Sequence, residues 1–378
     1  MLSFIISSSD LYEKLQQVNK VVPSKSTLPI LTNFLFEVDN NVLKITGTDT
    51  SSTLITAITL NNVDGSGKIC IEAKKLIEIL KEFGNQPVTF NINDETYNIE
   101  ITTQFGKYSL VGYDYRDFPS LPQLKSDANT FEIKSEALLT AIQKTIFAVA
   151  NDNLRPVMNG IYFDITPNEI TFVSTDAHKL IRYKRFDVSP NFTDSFILPQ
   201  KSASLLKSLL EKDDKIVKVS FDKQNAHFYL PDETILISRL IEGVYPAYNS
   251  VIPVDNPNKL IIDRVEFMNS IKRVSIFSNQ ATNLIRLQLM PNQLIISAED
   301  YDLSTSGMEQ IPCTYEGSPM EIGFKSVFLL EIVSNHSTES IIIELSDPTR
   351  AGLILADGED HTIEDTLMLI MPMKLNVN

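Results

Sequence analysis

The chain has 378 residues and a formal net charge of −15, with 43% hydrophobic and 21% charged residues. This length allows two or three domains, and the composition is that of a globular protein rather than a fibrous or disordered one. No hydrophobic run reaches the roughly 18 residues that a membrane-spanning helix needs, and the first residues lack the pattern of a signal peptide. We therefore expect a cytoplasmic protein without a membrane partner.

Each third of the chain begins with a strand and an amphipathic helix, whose apolar residues recur at intervals of three or four. A strand–turn–strand segment, further strands and a second helix follow. The predicted helices are residues 9–20, 72–83, 135–150, 200–212, 263–274 and 325–335. The predicted hairpins are residues 33–49, 159–176 and 284–300.

Fixed intervals show that these thirds are repeats. The three hairpins end on aspartates at intervals of 127 and 124 residues, and a lysine at the start of each second helix keeps both intervals: Asp49, Asp176, Asp300, Lys74, Lys201 and Lys325. Such spacing indicates a triplication. We predict three α+β domains with helices on one face of antiparallel sheets, comprising residues 1–127, 128–254 and 255–378.

The charges are unevenly distributed. The predicted helices hold 13 lysine and arginine residues against 10 acidic ones, while the rest of the chain holds 20 against 38. One interpretation is that the helices face phosphate groups; the other is that these lysines lie on ordinary solvated helix faces. No motif for reading bases is present, so any DNA contact is expected to be independent of sequence.

The segment STDAHKL offers the best candidate for a catalytic centre, because Asp176 and His178 lie two residues apart. Acid–base catalysis or metal binding would need a third partner, and the sequence supplies none nearby. The aspartate also recurs without a histidine, which favours a turn residue that caps its own backbone. We predict no catalytic residue, no metal and no cofactor; a hydrolase centred on these two residues stays an alternative.

Seven segments of the triplicated chain carry a family resemblance. They are STLPILTNFLF, DYRDFPSLP, RPVMNGIYFDI, STDAHKL, EGVYPAYNSVIP, MEIGF and the terminal MPMKL. Together they resemble the bacterial β sliding clamp, the processivity subunit of DNA polymerase III. The resemblance implies a homodimeric ring of six domains, with sheets outside and helices lining a channel. Such a ring encircles double-stranded DNA, slides on it and tethers other proteins during replication.

The same resemblance implies a non-catalytic subunit, so a label of DNA-directed DNA polymerase would reflect membership of the holoenzyme. Its implied partners are DNA polymerase catalytic subunits, the clamp loader, and repair and other clamp-binding proteins. They would insert a short apolar peptide between the second and third domains. The implied pocket residues are Met158, Thr175, His178, Lys179, Leu180, Pro246, Ser250, Val251, Leu369, Ile370, Met371, Pro372, Met373, Lys374 and Leu375.

Two positions depart from the family pattern: Ala177 replaces a frequent glycine and Lys179 a frequent arginine. The apolar end of the chain allows a last buried strand, a wall of the pocket, or both. We expect DNA contacts from Lys25, Arg155, Lys201 and Lys207. Family matching places the subunit contact at Tyr108, Leu110, Ile276 and Phe277. A monomeric interaction scaffold, with residues 107–111 as an ordinary edge strand, is the competing interpretation.

Overall fold

The structure is a computed structural model that describes residues 1–93, 95–358 and 360–375. These residues form two compact units. Unit 1 contains Met1–Leu139 and Ser204–Leu240, and unit 2 contains Thr140–Ala203 and the chain from Ile241 onward. Each unit therefore holds strands from two of the predicted thirds. The boundaries at residues 127 and 254 stay a prediction, whereas the α+β class with antiparallel sheets is confirmed.

All six predicted helices are present, most of them shorter than expected. They are α1 (Ser8–Val18), α2 (Ala73–Glu82), α3 (Ser135–Thr145), α4 (Gln200–Leu209), α5 (Arg264–Ser275) and α6 (Ser326–Ser334). The helix predicted for residues 135–150 ends at Thr145 and tightens into a 3₁₀ turn at Ile146–Ala148. In the described residues, no helix is both long enough and apolar enough to cross a membrane.

The strands are numbered in chain order. The first thirteen are β1 (Leu2–Ser7), β2 (Asn33–Asp39), β3 (Val42–Thr48), β4 (Ser52–Thr59), β5 (Asn62–Asp64), β6 (Gly67–Glu72), β7 (Pro87–Ile92), β8 (Asn98–Thr102), β9 (Lys107–Val111), β10 (Asn129–Lys134), β11 (Gly160–Thr166), β12 (Glu169–Thr175) and β13 (Lys179–Arg185). The others are β14 (Asp194–Pro199), β15 (Ile216–Phe221), β16 (Asn225–Tyr229), β17 (Ile235–Arg239), β18 (Asn258–Asp263), β19 (Leu284–Met290), β20 (Gln293–Asp300), β21 (Thr305–Pro312), β22 (Thr314–Glu316), β23 (Met320–Lys325), β24 (Ser340–Leu345), β25 (Gly352–Ala356) and β26 (Glu364–Ile370).

Unit 1 contains two antiparallel sheets. One has the order β5-β1-β7-β8-β9, and the other has the order β10-β15-β16-β17-β4-β3-β2-β6. The pairing of β4 with β17 joins strands of the first and second thirds in one sheet. Strand β9 pairs only with β8 within the chain and forms an edge of its sheet.

Unit 2 has the same organisation. Its larger sheet has the order β14-β11-β12-β13-β26-β25-β24-β18-β22, and its smaller sheet has the order β21-β20-β19-β23. The pairing of β13 with β26 joins strands of the second and third thirds. Strand β21 forms an edge of the smaller sheet, so β9 and β21 are both edge strands.

The three predicted hairpins are confirmed, and local turn chemistry explains them. Asn40 and Asn41 between β2 and β3 adopt φ of 48° and 64°, the left-handed pair that a two-residue hairpin turn requires. After each hairpin, Asp49, Asp176 or Asp300 accepts hydrogen bonds from the backbone N–H groups two and three residues further on, at 2.7–3.2 Å. The predicted role of the repeated aspartate as a turn cap is therefore confirmed.

Candidate functional site

The larger sheet of unit 2 is apolar on both faces around its central strands. Successive side chains of a strand point to opposite faces. Along β26, Met368 and Ile370 therefore lie on the face that packs against α5 and α6, in an inner cluster with Ile181, Phe267, Phe324 and Ile332. Leu367 and Leu369 lie on the other face. The last strand is thus buried on both faces from Thr366 to Ile370.

That outer face carries a second apolar cluster, called the outer cluster below. It consists of Val173, Leu180, Ile197, Tyr245, Tyr248, Ala351, Leu353, Leu367 and Leu369. Strand register explains its centre. Leu369 of β26 lies directly opposite Leu180 of β13 and Leu353 of β25, and Leu180 lies opposite Thr175 of β12. Four strands thereby contribute one continuous row of neighbouring side chains, which is the unit of packing on a sheet surface.

The segment 241–252 crosses part of this face and is held by two tyrosines. The ring of Tyr245 stacks on Tyr162 at a centroid distance of 4.6 Å. The hydroxyl of Tyr248 donates a hydrogen bond of 2.7 Å to the carboxylate of Asp164. Burial raises the pKa of both phenols well above the ordinary value, so both keep their protons and act as fixed anchors.

Pro246 between these anchors and Ser250 and Val251 after them, all predicted pocket residues, remain exposed. The side chain of Val251 is 52% exposed, although it lies beside the partly buried Ile252 of the outer cluster. Sequence reasoning identified the exposed residues of this segment and missed the two buried tyrosines. The spacing of Tyr245 and Tyr248 in VYPAYNSV, three residues apart in one short turn, was the available signal.

The turn between β12 and β13 borders the row on one side. The hydroxyl of Thr175 donates to the carbonyl of Lys179 at 2.8 Å and accepts from the N–H of Ala177 at 3.1 Å. Ala177 adopts φ of 72°, a left-handed conformation that favours glycine. His178 is exposed, and its ring stacks on Phe328 of α6 at 5.4 Å. The turn therefore fixes Thr175 and Leu180 next to the outer face.

Lys179 lies on the opposite face from Leu180. Its ammonium is buried, lies 2.7 Å from a carboxylate oxygen of Asp176 and 2.9 Å from one of Glu331, and lies over the ring of Phe328. Family resemblance assigns Lys179 to the pocket, but the lysine side chain lies on the inner face, and the ring of His178 contacts the same Phe328. Strand alternation turns the lysine toward α6, where two carboxylates compensate its charge.

The tail, residues 371–375, continues from β26 past this turn. The N–H of Met371 donates to the carbonyl of His178 at 2.8 Å, and the N–H of Met373 donates to the carbonyl of Gly323 at 2.8 Å. Met371 is 40% exposed, Pro372, Met373 and Leu375 are half-buried, and Lys374 is exposed. Thioether side chains that are partly exposed and flexible suit a surface that adapts to several ligands.

The predicted pocket residues differ in exposure and in the face on which they lie within unit 2. Leu180, Leu369 and Thr175 are buried at the outer face, Pro246, Ser250 and Val251 are exposed beside it, and His178 and Met371 are exposed at the turn between β12 and β13. Met158 is buried, and the N–H of Met158 donates a hydrogen bond to the carbonyl of Arg155. The adjacent Val157 packs against the outer cluster. Ile370 and Lys179 point to the inner face.

The predicted DNA contacts are exposed cationic groups in both units. Lys25 follows α1 in a loop, and Lys207 is an exposed residue of α4. Lys201 begins the same exposed face of α4. The guanidinium of Arg155 lies 2.9 Å from the carboxylate of Asp152. A phosphate would have to compete with that carboxylate, which weakens Arg155 as a contact.

The predicted subunit contacts lie beside the two edge strands. Tyr108 of β9 is 38% exposed and packs against Phe83 at 5.0 Å. Ile276 and Phe277 follow α5 and are 78% and 39% exposed. The ring of Phe277 lies against β21 at Gly307, where a Cβ atom would come within 2.5 Å of it. An exposed aromatic side chain therefore lies at each of these two edge strands: Tyr108 on β9, and Phe277 against β21.

The arrangement around Asp176 and His178 offers no acid–base pair. The carboxylate of Asp176 binds two backbone N–H groups and the ammonium of Lys179, while the ring of His178 stacks on Phe328. In the described part of the chain, no three His, Cys, Asp or Glu side chains gather in a group that could hold a metal ion. The site can bind an apolar segment, and its polar groups hold the turn.

Comparison with known proteins gives one consistent result. The family models for the DNA polymerase III beta subunit match residues 2–122 as its N-terminal domain, 132–247 as its central domain and 249–374 as its C-terminal domain. The chain is similar to the beta sliding clamp of Chlamydia pneumoniae, with 27% identity over 99% of this chain and 100% of that protein. It is 28% identical to the beta sliding clamp of Pseudomonas putida, over 99% and 100% of the two chains.

Two solved structures show how closely the fold agrees. The DNA polymerase III subunit beta from Pseudomonas aeruginosa has a TM-score of 0.93 and 27% identity, over 99% of this chain and 100% of that one. A sliding clamp from the same organism bound to griselimycin has a TM-score of 0.92 and 26% identity, over the same shares.

Proposed function

Because the chain belongs to the DNA polymerase III beta subunit family, the bacterial sliding clamps, we propose that its outer cluster is where partner proteins dock. The chain is a processivity clamp of DNA replication, and the clamp itself is non-catalytic. A dimeric ring that binds partners is typical of the family. We place the protein in the cytoplasm, because a replication clamp acts on DNA.

The observation that carries the docking proposal is the buried row Thr175, Leu180, Leu369 and Leu353, bordered by the partly exposed Val251 and Met371. An apolar peptide segment from a polymerase catalytic subunit, the clamp loader or a repair protein would cover this face. Burial of apolar surface stabilises such a complex by roughly 25 cal/mol per Å², before the cost of ordering the peptide. We expect micromolar affinity for a short segment.

Ring closure by two chains is supported by the repeated strand pairings. Strand β4 pairs antiparallel with β17. In the next repeat, the equivalent strand β13 pairs antiparallel with β26. The third repeat of β4 is β21, and the first-third equivalent of β17 is β9. Both remain edge strands within the chain. We propose that β9 of one protomer pairs with β21 of its partner, so that neither of these two edges stays open.

The register of this pairing follows from the existing ones. Thr53 lies opposite Ile237, and their repeat equivalents Leu180 and Leu369 lie opposite each other. In the third repeat the equivalent of Thr53 is Ser306, which lies opposite Glu299 in its hairpin. In the first repeat the equivalent of Ile237 is Ser109, which lies opposite Glu100 in its hairpin. The proposed pair is thus Ser109 with Ser306 of the partner chain. Tyr108 then lies opposite Gly307, against the ring of Phe277.

DNA retention tests the ring. We expect the clamp, once loaded, to stay on closed circular DNA during gel filtration and to leave after a restriction enzyme linearises the DNA. Retention on linear DNA with free ends, or a wild-type monomer at micromolar concentration, would contradict an encircling ring.

Removing lysine charges tests whether the helices bind phosphate groups directly. Replacing Lys201 and Lys207 by alanine should weaken DNA binding equally for different sequences and lower the salt slope by about 1 for each phosphate that the variant no longer binds. Lys218 on β15 and Lys223 after it provide a matched pair of exposed control lysines outside the helices. An equal effect of both double variants would show that the helices have no special role.

A further inference from the structure

The tail reaches a second surface after it leaves the outer face. Beyond Met373 the chain crosses β23, and the side chain of Leu375 enters a hollow on the smaller sheet of unit 2. That hollow is lined by Leu284, Arg286, Ser297, Ala298, Glu299 and Tyr301 together with Leu375 itself. Leu375 therefore lies away from the outer cluster, on a different sheet from Leu180 and Leu369.

Gly323 makes this crossing possible. It lies in β23 within MEIGF, and it forms an isolated antiparallel bridge with Met373. A Cβ atom at Gly323 would lie 2.8 Å from the carbonyl oxygen of Met373, 2.8 Å from Cδ2 of Leu375 and 3.0 Å from Cδ1 of Leu284. A Cβ contact of 2.8 Å is essentially never seen in folded proteins, and the backbone oxygen of Met373 cannot rotate away as the ends of the two leucine side chains can. Any larger residue at 323 must displace the tail.

Anchoring at this point affects residues closer to the outer face. Met371 is 40% exposed, so its own packing holds it weakly. Its place is set by the hydrogen bond to His178 on one side and by the bridge at Gly323 on the other. Loss of the bridge leaves Met371 with its hydrogen bond to His178 and frees the tail beyond it, so that this part must be ordered again when a partner binds. That ordering has an entropic cost, which weakens binding.

We propose that Gly323, Leu284 and Leu375 form a latch that positions the tail, and that this latch sets the affinity of the outer face for a partner peptide. The three residues act as positioning residues, because Gly323 and Leu284 of the smaller sheet contact Leu375 and the Met373 carbonyl and so hold the tail in place. The proposal rests on the docking function proposed above.

The test compares two glycine substitutions. The probe is a fluorescent peptide that carries the clamp-binding segment of a bacterial DNA polymerase catalytic subunit, titrated into the full-length protein. We expect Gly323→Ala to raise the Kd at least tenfold. Gly67→Ala is the matched control in β6, because a Cβ there meets only Leu2 side-chain atoms at 3.7 and 3.9 Å. It should change the Kd less than twofold.

A second readout separates tail position from general stability. Hydrogen exchange of the Met373 amide should become faster in Gly323→Ala and remain slow in Gly67→Ala. Leu375→Ala should also raise the Kd and speed exchange of the Met373 amide, without adding an atom to β23. Leu375→Met should restore part of the affinity and part of the protection from exchange. Leu375→Ala also decides the question if Gly323→Ala does not fold.

The outcomes distinguish the two proposals. A wild-type protein that does not bind the peptide contradicts the docking function itself. A wild-type protein that binds, with variants that expose the Met373 amide and still bind with unchanged affinity, overturns the latch alone.

Discussion

Lys179 and Leu180 are adjacent in the chain and lie on opposite faces of one sheet. Matching to the family assigned both to a single pocket, because a motif is compared position by position. Strand geometry separates them: Leu180 joins the outer cluster, and the Lys179 ammonium is buried between Asp176 and Glu331. Which of the two faced outward could not be read from STDAHKL, since the start of β13 sets the phase of alternation.

Asp176 should matter more for stability than its repeat equivalent Asp49. Both carboxylates cap the same turn through two backbone N–H groups. Asp176 also pairs with the buried ammonium of Lys179, and Ser52 stands at the equivalent position of that lysine in the first third. Asp49→Ala should cost about 1–2 kcal/mol, the usual range for a lost cap, and Asp176→Ala clearly more.

Scanning calorimetry measures this difference as a lower Tm. Adding Lys179→Met to Asp176→Ala should recover part of the loss, because the double variant removes the lysine ammonium together with Asp176. Equal Tm decreases for the two alanine variants would show that the ion pair does not stabilise the turn.

The last strand and the tail are two elements with different tasks. Strand β26 ends at Ile370, which pairs with Lys179 and Gly352 on its two sides. A truncation after Ile370 therefore keeps the sheet and removes the tail. We expect peptide affinity to fall at least tenfold while light scattering still shows the oligomer of the full chain, since β9, β21 and Phe277 are unchanged.

A shorter truncation is the control. Removing only residues 376–378, which lie outside the described residues, should leave peptide affinity as it is. If the truncation after Ile370 bound the peptide like the full chain, the tail would have no part in docking.

Sequence patterns predicted most elements and only part of the site. The hairpins and helices were predictable because asparagine turns, aspartate caps and apolar periodicity are local signals. The row across β12, β13, β26 and β25 joins residues such as Leu180 and Leu369, which are far apart in the chain. Long-range register has no local signature, so the outer cluster and the latch at Gly323 became visible only in the fold.

The repeated strand pairing also explains why one position along the chain is suited to docking. At the junction of β13 and β26 the outward row is Thr175, Leu180, Leu369 and Leu353. The equivalent row in unit 1 is Thr48, Thr53, Ile237 and His227, in which the two threonine hydroxyls hydrogen-bond at 2.8 Å. At the proposed junction between protomers the central pair is two serines. An apolar row occurs at only one of these three junctions, so docking should be confined to it.

The serine pair provides the sharpest test of the whole assembly. In the proposed register, Ser109 of one protomer lies directly opposite Ser306 of its partner, and both are exposed in the single chain. Directly opposed residues of antiparallel strands have Cα atoms about 4.5–5.5 Å apart, which a disulfide can bridge. The double variant Ser109→Cys, Ser306→Cys should therefore form a covalent dimer on mild oxidation, seen on a non-reducing gel and reversed by thiol.

The control shifts the register by one residue. In Ser109→Cys, Thr305→Cys the two side chains would point to opposite faces of the sheet, so cross-linking should be much slower. The native thiols contribute little background, because burial raises the pKa of Cys70 to about 12 and also raises that of Cys313. Faster cross-linking of the shifted pair would contradict the register inherited from the two junctions within the chain. Absence of any cross-linked dimer would contradict the pairing of β9 with β21 itself.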